Sequence, residues 1–301
     1  MECIERRVML NISVVVATKD RGPAIDETID SLLGQDLPPY RYEIIVVDNR
    51  STAENRRYLQ KFCESDPDRL HYVREEKLGL SNARNCGIEA SRFEIIAFID
   101  DDAVAPPHWL TNILRPFETE PTVFSVGSKV LARFSTPPPD WIDERLGGYI
   151  SNFDRGDKPV RLKYNEYPRG VNMAFRRSAF TECGQFLDCF GRKGDSMMSY
   201  EEIELCYRVE KAGYTVLYVP DAEVHHLIRG DRLNRAWFLK RFYWQGRSEG
   251  LFELIHFGRR HALGQLWRHA IEILRAEQFD RRHHIGYIAS VVRHLVRPPS
   301  C

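Results

Sequence analysis

Short apolar runs rich in β-branched residues alternate, over the first hundred residues, with segments whose apolar positions repeat at helical spacing. Ile25, Ile29 and Leu32 form one such helical face, and Leu59 and Phe62 belong to another. The strand-like runs are bounded by polar turns and have the composition of strands buried on both faces; they cover 12–17, 43–47, 70–73 and 95–99. This alternation predicts an α/β fold in which a mixed, mostly parallel sheet is flanked by helices.

The pattern continues less regularly after residue 105. It predicts helices over 109–117 and from about 200 to 212, and strands over 122–130, 170–175 and 214–219. Prolines and glycines without periodicity fill 133–168 and 184–199, so we expect a long irregular excursion in the first segment and a flexible loop in the second. Periodic apolar positions near the C-terminus predict a helical extension, residues 231–301, appended to a domain of residues 1–230.

Three consecutive carboxylates, Asp100, Asp101 and Asp102, follow the buried run 95–99 directly. Unpaired buried charges are costly, but the carboxyl end of a parallel strand opens on the crevice where such sheets bind ligands. Closely spaced oxygen donors suit Mg²⁺ or Mn²⁺ held together with substrate phosphates. A solvated acidic turn without a ligand is the alternative reading.

Phosphate-binding loops of the usual kinds are missing. The first strand is followed by neither a Gly-x-Gly-x-x-Gly motif nor a Walker-type Gly-Lys-Ser/Thr. Metal bridging by the aspartates is therefore the remaining economical way to neutralise a bound diphosphate. A second acidic pair, Glu201 and Glu202, opens the helix predicted to end near residue 212; the helix dipole alone can account for acids in a first turn.

Composition adds limits to this interpretation. Lys+Arg and Asp+Glu balance at 43 each, but residues 229–301 carry 14 basic against 6 acidic residues, which suggests that this region faces an anionic partner. The seven cysteines are scattered without a Cys-x-x-Cys, which indicates neither a disulfide framework nor a zinc site and favours a reducing cytosol. We see neither a signal peptide nor an apolar run long enough to span a bilayer.

The motifs at these strand ends, in this order, resemble those of the family 2 glycosyltransferases, which have the Rossmann-like GT-A fold. The resemblance covers about residues 10–230 and is carried by seven motifs: 15–18 (Val-Val-Ala-Thr), 45–51 (Ile-Val-Val-Asp-Asn-Arg-Ser), 79–85 (Gly-Leu-Ser-Asn-Ala-Arg-Asn), 98–102 (Phe-Ile-Asp-Asp-Asp), 170–174 (Gly-Val-Asn-Met-Ala), 201–208 (Glu-Glu-Ile-Glu-Leu-Cys-Tyr-Arg) and 219–226 (Val-Pro-Asp-Ala-Glu-Val-His-His). It implies a metal-dependent enzyme that takes a sugar from a nucleotide-sugar donor.

For the donor, the resemblance implies roles at five positions. Asp48 accepts a hydrogen bond from the base, with uracil and hence a UDP-sugar favoured. Thr18 and Asp20 touch the nucleoside, and Arg84 lies near the diphosphate or ribose. Asp101 belongs to the same donor site as part of the acidic run.

For the metal and the chemistry, the resemblance assigns Asp102 as the direct ligand of Mn²⁺ or Mg²⁺. Asp100 serves the ribose or the metal, and His226 lies near the metal or diphosphate. The family commonly has Glu-Asp where this chain has Glu201-Glu202, with the second residue as base. We therefore expect Glu202 to deprotonate the acceptor hydroxyl, and the departure leaves Glu201 as the alternative. One base acting in line gives inversion at the anomeric carbon.

Two other functions remain open from the sequence. A nucleotidyltransferase also combines a nucleotide fold with carboxylate-bound Mg²⁺, but its glycine-rich, Arg-bearing loop after the first strand is absent. A catalytically silent sugar-nucleotide binder or assembly scaffold is the other, and the intact acidic motifs argue against it.

The basic extension interleaves aromatic and cationic residues over 235–244 and carries further apolar stripes over 263–274 and 285–295. Helices of this kind lie on an anionic membrane near a lipid-linked or glycan acceptor, or else pack on the catalytic domain with their arginines in solvent. We expect a cytoplasmic protein that acts in polysaccharide or cell-envelope assembly, with possible peripheral contact at the inner face of the membrane. We expect no nucleic-acid partner, since no nucleic-acid-binding module is visible.

Overall fold

The computed structural model describes residues 9–297 and Cys301, and it contains a nine-stranded sheet covered by helices. The strands are β1 (Ile12–Thr18), β2 (Tyr42–Asp48), β3 (Leu70–Arg74), β4 (Ile95–Ile99), β5 (Ala103–Val104), β6 (Val123–Phe134), β7 (Val160–Leu162), β8 (Asn172–Arg176) and β9 (Thr215–Ile228). The α-helices are α1 (Asp26–Leu33), α2 (Ala53–Cys63), α3 (Leu80–Ala90), α4 (Trp109–Thr119), α5 (Glu144–Gly147), α6 (Arg177–Glu182), α7 (Glu201–Lys211), α8 (Arg235–His256), α9 (Gly258–Arg275) and α10 (Gln278–Val296).

The sheet runs in the order β3-β2-β1-β4-β8-β6-β9-β5, and β7 pairs with β9. β3, β2, β1 and β4 are parallel neighbours, whereas β8 lies antiparallel between β4 and β6. Nearly every residue of β1, β2 and β4 is buried because helices cover both faces of this half. The predicted α/β fold, with a mixed, mostly parallel sheet and a helical extension, is confirmed.

Two strands are longer than the sequence pattern predicted. β6 continues to Phe134, so the segment predicted to be irregular from residue 133 begins inside a strand and also contains α5 and β7. The strand predicted over 214–219 continues through Pro220 to Ile228 as β9. Its pairing with β6 shifts register between Ser128 and Val130. An irregularity of this kind accommodates Pro220, which has no backbone N–H to donate to a regular ladder.

The segment 184–199 contains no helix or named strand, as predicted, but it is attached to α3. The backbone N–H of Leu80 donates to the carbonyl of Arg192 at 2.9 Å, and the Ser81 hydroxyl donates to the carbonyl of Phe190 at 2.9 Å. Cys189 in this segment forms a disulfide with Cys301, which the sequence analysis did not anticipate. The two cysteines are 112 residues apart, so their spacing along the sequence does not indicate that they pair.

The extension forms three helices, α8, α9 and α10. Helix α8 packs on the catalytic domain, where Phe242 stacks on Tyr149 with ring centroids 3.8 Å apart and Phe238 contacts Trp141. Among the described residues, none of the helices combines the length and the apolar character needed to cross a bilayer. The boundary at residue 230 stays a prediction, although α8 contributes side chains to the cavity of the catalytic domain.

Candidate active site

Strand register brings the polar end of β1 to the acidic run that follows β4. Val15 pairs with Phe98 in the parallel ladder, so continuing by three residues brings Thr18 opposite Asp101. The Thr18 hydroxyl donates a hydrogen bond to Asp101 Oδ2 at 2.7 Å. The buried carboxylate is thereby held in place by the neighbouring strand.

The short strand β5 positions His226 beside Asp102. Ala103 pairs with His226 in β9, and the N–H of Leu227 donates to the carbonyl of Asp102 at 2.8 Å. His226 Nε2 consequently lies 3.2 Å from Asp102 Oδ1, and both side chains are buried. The sequence signal that predicted His226 was its motif position, and the β5–β9 pairing supplies the physical reason for its placement.

These residues have the donor set of a divalent-cation site. Asp100, Asp102 and His226 each offer one ligand atom, and the three atoms lie within 4.8 Å of one another. His226 Nδ1 lies 3.2 Å from the carbonyl of Ile150, which only accepts, so Nδ1 carries the proton. The other ring nitrogen, Nε2, faces the Asp102 carboxylate, where either a proton or a bound cation joins the two groups. The residues therefore fit a metal ion.

Two arginines that the sequence analysis did not single out contact the same carboxylate. Arg21 Nη2 donates to Asp102 Oδ2 at 2.6 Å, and Arg232 Nη2 donates to the same oxygen at 3.1 Å. Burial would raise the pKa of Asp102, but the hydrogen bond from His226 and the two arginine charges outweigh it and hold the pKa well below its usual range. Arg21 was visible as a cation in the turn after β1, whereas Arg232 reaches the site only through the fold.

The pKa of the neighbouring carboxylate, Asp101, is raised instead of lowered. Burial is the largest cause of this shift and outweighs the hydrogen bond that Arg21 Nε donates to Asp101 Oδ1 at 2.9 Å. Asp101 thus faces Thr18 and Arg21, and it is not among the three residues whose ligand atoms converge.

Arg84 on α3 links the acidic run to the first turn of α7. Its Nη1 donates to Glu201 Oε1 at 2.9 Å, while Nη2 donates to Asp100 Oδ1 at 3.3 Å and to the carbonyl of Gly170 at 3.0 Å. A Cβ at position 170 would come within 2.8 Å of Arg84 Nη2, so a larger residue there would push against the guanidinium. The Gly170 N–H in turn lies 3.3 Å from Glu202 Oε1. The backbone of Gly170 therefore contacts both Arg84 and Glu202.

The two glutamates keep unused hydrogen-bonding capacity. Oε2 of Glu201 and Oε2 of Glu202 are buried and have no hydrogen-bond partner among the described residues. Burial and then the charge of Glu202 raise the pKa of Glu201 to about 7, with Arg84 opposing the shift. Buried carboxylates without partners are uncommon outside functional sites, so these oxygens point to a ligand.

The predicted nucleoside residues separate into two groups. Thr18, Asp20 and Arg84 line the cavity described below, whereas Asp48 is fully buried and is not on its wall. Asp48 accepts from the Ser51 N–H at 2.7 Å, from the Tyr72 hydroxyl at 2.8 Å and from Arg74 at 3.0 Å.

Asp20 is joined to the Asp48 turn through backbone contacts. Its own N–H donates to the Ser51 hydroxyl at 2.9 Å, and its Oδ1 accepts from the Thr52 N–H at 2.7 Å. That hydrogen bond from Thr52 lowers the pKa of Asp20. Asp20 also holds a φ of 55°, a left-handed conformation that such local contacts stabilise. Asp48 therefore reaches the cavity only indirectly, through this turn.

The metal-type residues and the glutamates share one cavity of about 490 Å³. Its wall includes Asp100, Asp102 and His226 together with Glu201 and Glu202. A second cavity of about 280 Å³ adjoins it, and four residues line both: Ser151, Ser199, Glu202 and Arg241. Glu202 thus lies at the junction of the two spaces, which neither residue spacing nor periodicity predicted.

A Rossmann-like α/β sheet with an Asp-x-Asp run at a central strand end and carboxylates across the same cavity is the arrangement of GT-A glycosyltransferases. The chain belongs to one family of them: the profile described as Glycosyl transferase family 2 matches residues 13–184. The resemblance stated from the motifs is thereby confirmed. The chain is a glycosyltransferase with a sugar-nucleotide donor.

Curated relatives carry this assignment across most of the chain. A glucosyl-dolichyl phosphate glucuronosyltransferase of Haloferax volcanii is 30% identical over 251 residues, which is 82% of this chain and 79% of the relative. The succinoglycan biosynthesis protein ExoM of Rhizobium meliloti is 28% identical over 265 residues, 87% of this chain and 80% of that protein.

Solved structures share the fold at low sequence identity. A mannosyltransferase of Pyrobaculum calidifontis, in complex with GDP-Man and Mn²⁺, has a TM-score of 0.62 at 20% identity and covers 97% of this chain and 76% of its own. A structure of GalNAc-T7 with UDP, GalNAc and Mn²⁺ has a TM-score of 0.59 at 15% identity, covering 96% and 57%. Both likenesses support the GT-A fold.

Proposed function

We propose that this enzyme is a divalent-metal-dependent, inverting glycosyltransferase that moves a sugar from a UDP-linked donor to a hydroxyl of a glycan or lipid-linked acceptor. The observation that carries the proposal is the shared cavity, in which Asp100, Asp102 and His226 face the same space as Glu201 and Glu202. Both similar structures contain Mn²⁺, which supports the use of a divalent ion.

Asp102 and His226 hold the ion in this proposal, with Asp100 completing the set of protein ligands. The ion, when bound, offsets the negative charge that develops on the leaving diphosphate. Arg21 and Arg232 already contact Asp102. Their positive charges therefore lie near the ion and help it to stabilise the negative charge of the leaving diphosphate. Manganese and magnesium are both compatible with this donor set.

Glu202 is the proposed general base. Its carboxylate has one free buried oxygen and lies at the junction of the two cavities, so a hydroxyl entering from the second cavity reaches it before it reaches Glu201. The acceptor O–H proton passes to Glu202 as the oxygen attacks the anomeric carbon, and the bond from that carbon to the diphosphate oxygen breaks. Glu201, held by Arg84, orders the donor side of the cavity and is the alternative base.

Donor recognition is assigned to Thr18, Asp20, Arg84 and Asp101, all on the cavity wall. Asp48 has a supporting role, because its hydrogen bond to the Ser51 N–H holds the turn that in turn fixes Asp20.

The second cavity is the proposed acceptor site, and its cations favour an anionic acceptor. Within the described part of the chain, neither Arg169 nor Arg241 lies within salt-bridge distance of a carboxylate, and Arg169 Nε is buried without a partner. Burial and then the charge of Arg192 lower the pKa of Arg241 to about 10, although the charge of Glu202 opposes the shift. A phosphate or carboxylate on the acceptor would supply a counter-charge.

Replacing Arg241 or Arg169 with glutamine should raise KM for a glycosyl phosphate acceptor by about 10–100-fold, because each guanidinium gives a charge-assisted hydrogen bond. The measurement compares glycosyl phosphates with the matching methyl glycosides. Arg145→Gln is the matched control, since Arg145 lines the same cavity but is already paired with Asp280 at 2.9 Å. Equal losses with charged and neutral acceptors would contradict the assignment.

The exposed face of α9 supports peripheral contact with an anionic membrane. Leu263, Trp267 and Leu274 lie on one side of the helix and are 50%, 74% and 83% exposed, so the catalytic domain does not cover them. Arginines at 259, 260, 268 and 275 flank this stripe. An exposed apolar stripe bordered by cations is the pattern of interfacial helices, which supports the proposal that the enzyme acts on a lipid-linked acceptor at a membrane surface.

Flotation with vesicles containing anionic lipid should therefore recover the protein, and the double change Trp267→Ser and Leu274→Ser should weaken binding at least about tenfold, because each buried apolar side chain contributes roughly 1.5–3 kcal/mol. Tyr40→Ser is the control, since Tyr40 is 76% exposed on the catalytic domain. Equal flotation of the double variant and the wild type would exclude α9 as the contact.

The donor is tested by thermal shift with a panel of nucleotide sugars in the presence of Mn²⁺, since the donor that binds stabilises the fold by mass action. We expect the largest shift from a UDP-sugar. Release of UDP with and without acceptor then separates an enzyme from a silent binder, because a scaffold would be stabilised without releasing UDP.

A further inference from the structure

Three histidines converge in the C-terminal helices, away from the catalytic cavity. His269 on α9 and His283 and His284 on α10 each offer one ring nitrogen, and the three nitrogens lie within 4.8 Å of one another. His269 is buried and the other two are half-buried. Neither the proposed reaction nor the membrane contact uses these side chains.

The ring separations match those of imidazoles around a single ion. The ring centroids of His269 and His284 are 4.9 Å apart, those of His283 and His284 are 5.6 Å apart, and those of His269 and His283 are 6.1 Å apart. With metal–nitrogen bonds of about 2.0–2.1 Å in tetrahedral geometry, ring centroids are expected roughly 5 Å apart. A small closure of His283 toward the other two rings completes the geometry.

The contact between two of the rings leaves an unprotonated nitrogen in the cluster. His269 Nδ1 and His284 Nδ1 are 2.9 Å apart, so at most one of the two carries a proton. The other directs a lone pair into the space between the rings. Two nitrogens that bind one tetrahedral metal ion lie only a few tenths of an ångström farther apart than these two nitrogens do.

A carboxylate from the third helix accompanies the histidines. Glu249 Oε2 on α8 lies 2.7 Å from His283 Nε2. Carboxylates bound to a ligating histidine fix its tautomer and orientation at zinc sites, and a carboxylate oxygen also serves as a ligand itself. The cluster therefore draws on α8, α9 and α10 together.

Close helix packing brings these groups together. A Cβ at Gly246 would lie 1.9 Å from the carbonyl oxygen of His283, and one at Gly286 would lie 1.9 Å from the carbonyl oxygen of Tyr243. Only glycine permits this approach of α8 and α10. Because α8 also carries Arg241 into the catalytic cavity, an ion in this cluster would fix the helix that supports the acceptor side.

We propose that His269, His283 and His284, assisted by Glu249, bind a borderline divalent transition-metal ion of the zinc type that cross-links the three C-terminal helices. The nitrogen-rich donor set distinguishes this site from the oxygen-rich site of Asp100 and Asp102. Imidazole ligands suit zinc, copper, iron or nickel, whereas carboxylates suit manganese and magnesium.

The test uses the full chain without a histidine tag, carrying Asp102→Asn to disable the catalytic metal site. After chelator treatment, the protein is titrated with Zn²⁺ and, separately, with Co²⁺, whose visible absorption reports its coordination. We expect one Zn²⁺ per chain, a rise in the thermal midpoint with Zn²⁺ but not with Mg²⁺, and cobalt bands typical of tetrahedral nitrogen ligation.

His269→Gln and His284→Gln should each weaken Zn²⁺ binding at least tenfold, and Glu249→Gln about 10–100-fold, as for other outer partners of metal ligands. His294→Gln is the control on α10, because its Nδ1 lies 2.9 Å from a backbone carbonyl, that of Ser290. Failure of the Asp102→Asn chain, with all three histidines intact, to retain Zn²⁺ would overturn the proposal even if a histidine variant misfolds. Equal Zn²⁺ binding by the folded histidine variants would overturn it as well.

Discussion

Replacing Asp102 with asparagine should lower kcat/KM for sugar transfer by roughly 10²–10⁴-fold and abolish its stimulation by Mn²⁺. Asp102 combines the metal-facing carboxylate with contacts to His226, Arg21 and Arg232. The change therefore removes a proposed ligand and the carboxylate partner of Arg232, whereas Arg21 keeps its contact with Asp101. A metal ion contributes several kcal/mol of charge stabilisation in such transfers, and about 1.4 kcal/mol corresponds to a factor of ten.

The measurement is a Mn²⁺ titration of UDP release in the presence of acceptor, with thermal unfolding to confirm the fold. Asp101→Asn is the matched control, because Asp101 is an equally buried neighbour that faces Thr18 and Arg21. We expect its activity to fall much less and its Mn²⁺ dependence to persist. Full metal-stimulated activity in Asp102→Asn would rule out the proposed metal site.

Replacing Glu202 with glutamine should lower kcat by roughly 10²–10⁴-fold while leaving the affinity for the donor unchanged, because general-base catalysis typically contributes that factor. Glutamine keeps the shape and still accepts from the Gly170 N–H, but it has no oxygen able to take the acceptor proton. Donor affinity is measured by thermal shift and kcat by product formation at saturating acceptor.

Glu201→Gln is the matched comparison, since it removes the adjacent carboxylate on the same helical turn. If Glu202 is the base, Glu201→Gln should chiefly weaken donor binding through the loss of the Arg84 contact. If Glu201 is the base, its pKa of about 7 should make the rate rise with pH up to a plateau above that value, because only the ionised carboxylate accepts a proton. That rise would then disappear in Glu201→Gln. Glu201→Gln, and not Glu202→Gln, would in that case cause the larger loss of kcat.

Much of the central sheet could be predicted from the local pattern of apolar and polar residues. β1, β2, β3 and β4 were predicted within a residue or two because each is a short apolar run with polar ends. The position of Asp100, Asp101 and Asp102 at a strand end followed from the same pattern, and the ordered motifs identified the family. Helix α6 and the disulfide between Cys189 and Cys301 were not predicted.

Long-range pairing decided the rest of the site. Arg232 and Arg241 lie in a region that the sequence marked only as basic, and they reach the cavity because β9 continues past Pro220 and α8 packs back on the domain. The burial of Asp48 under three protein donors depends on β3 and on the turn at Ser51, so its motif alone did not reveal that it lies off the cavity wall.

The sequence by itself determined which strands are buried, where each exposes its polar end and which carboxylates stand there, because burial and periodicity are local properties of the chain. Only the tertiary structure decided which of those ends meet. The contact between Asp102 and His226 and the link from Arg84 to Glu201 each join residues more than 80 positions apart. The place of Glu202 on the walls of two cavities likewise depends on several elements packed around it. Such distances are fixed by sheet register and helix packing, which depend on the whole chain at once.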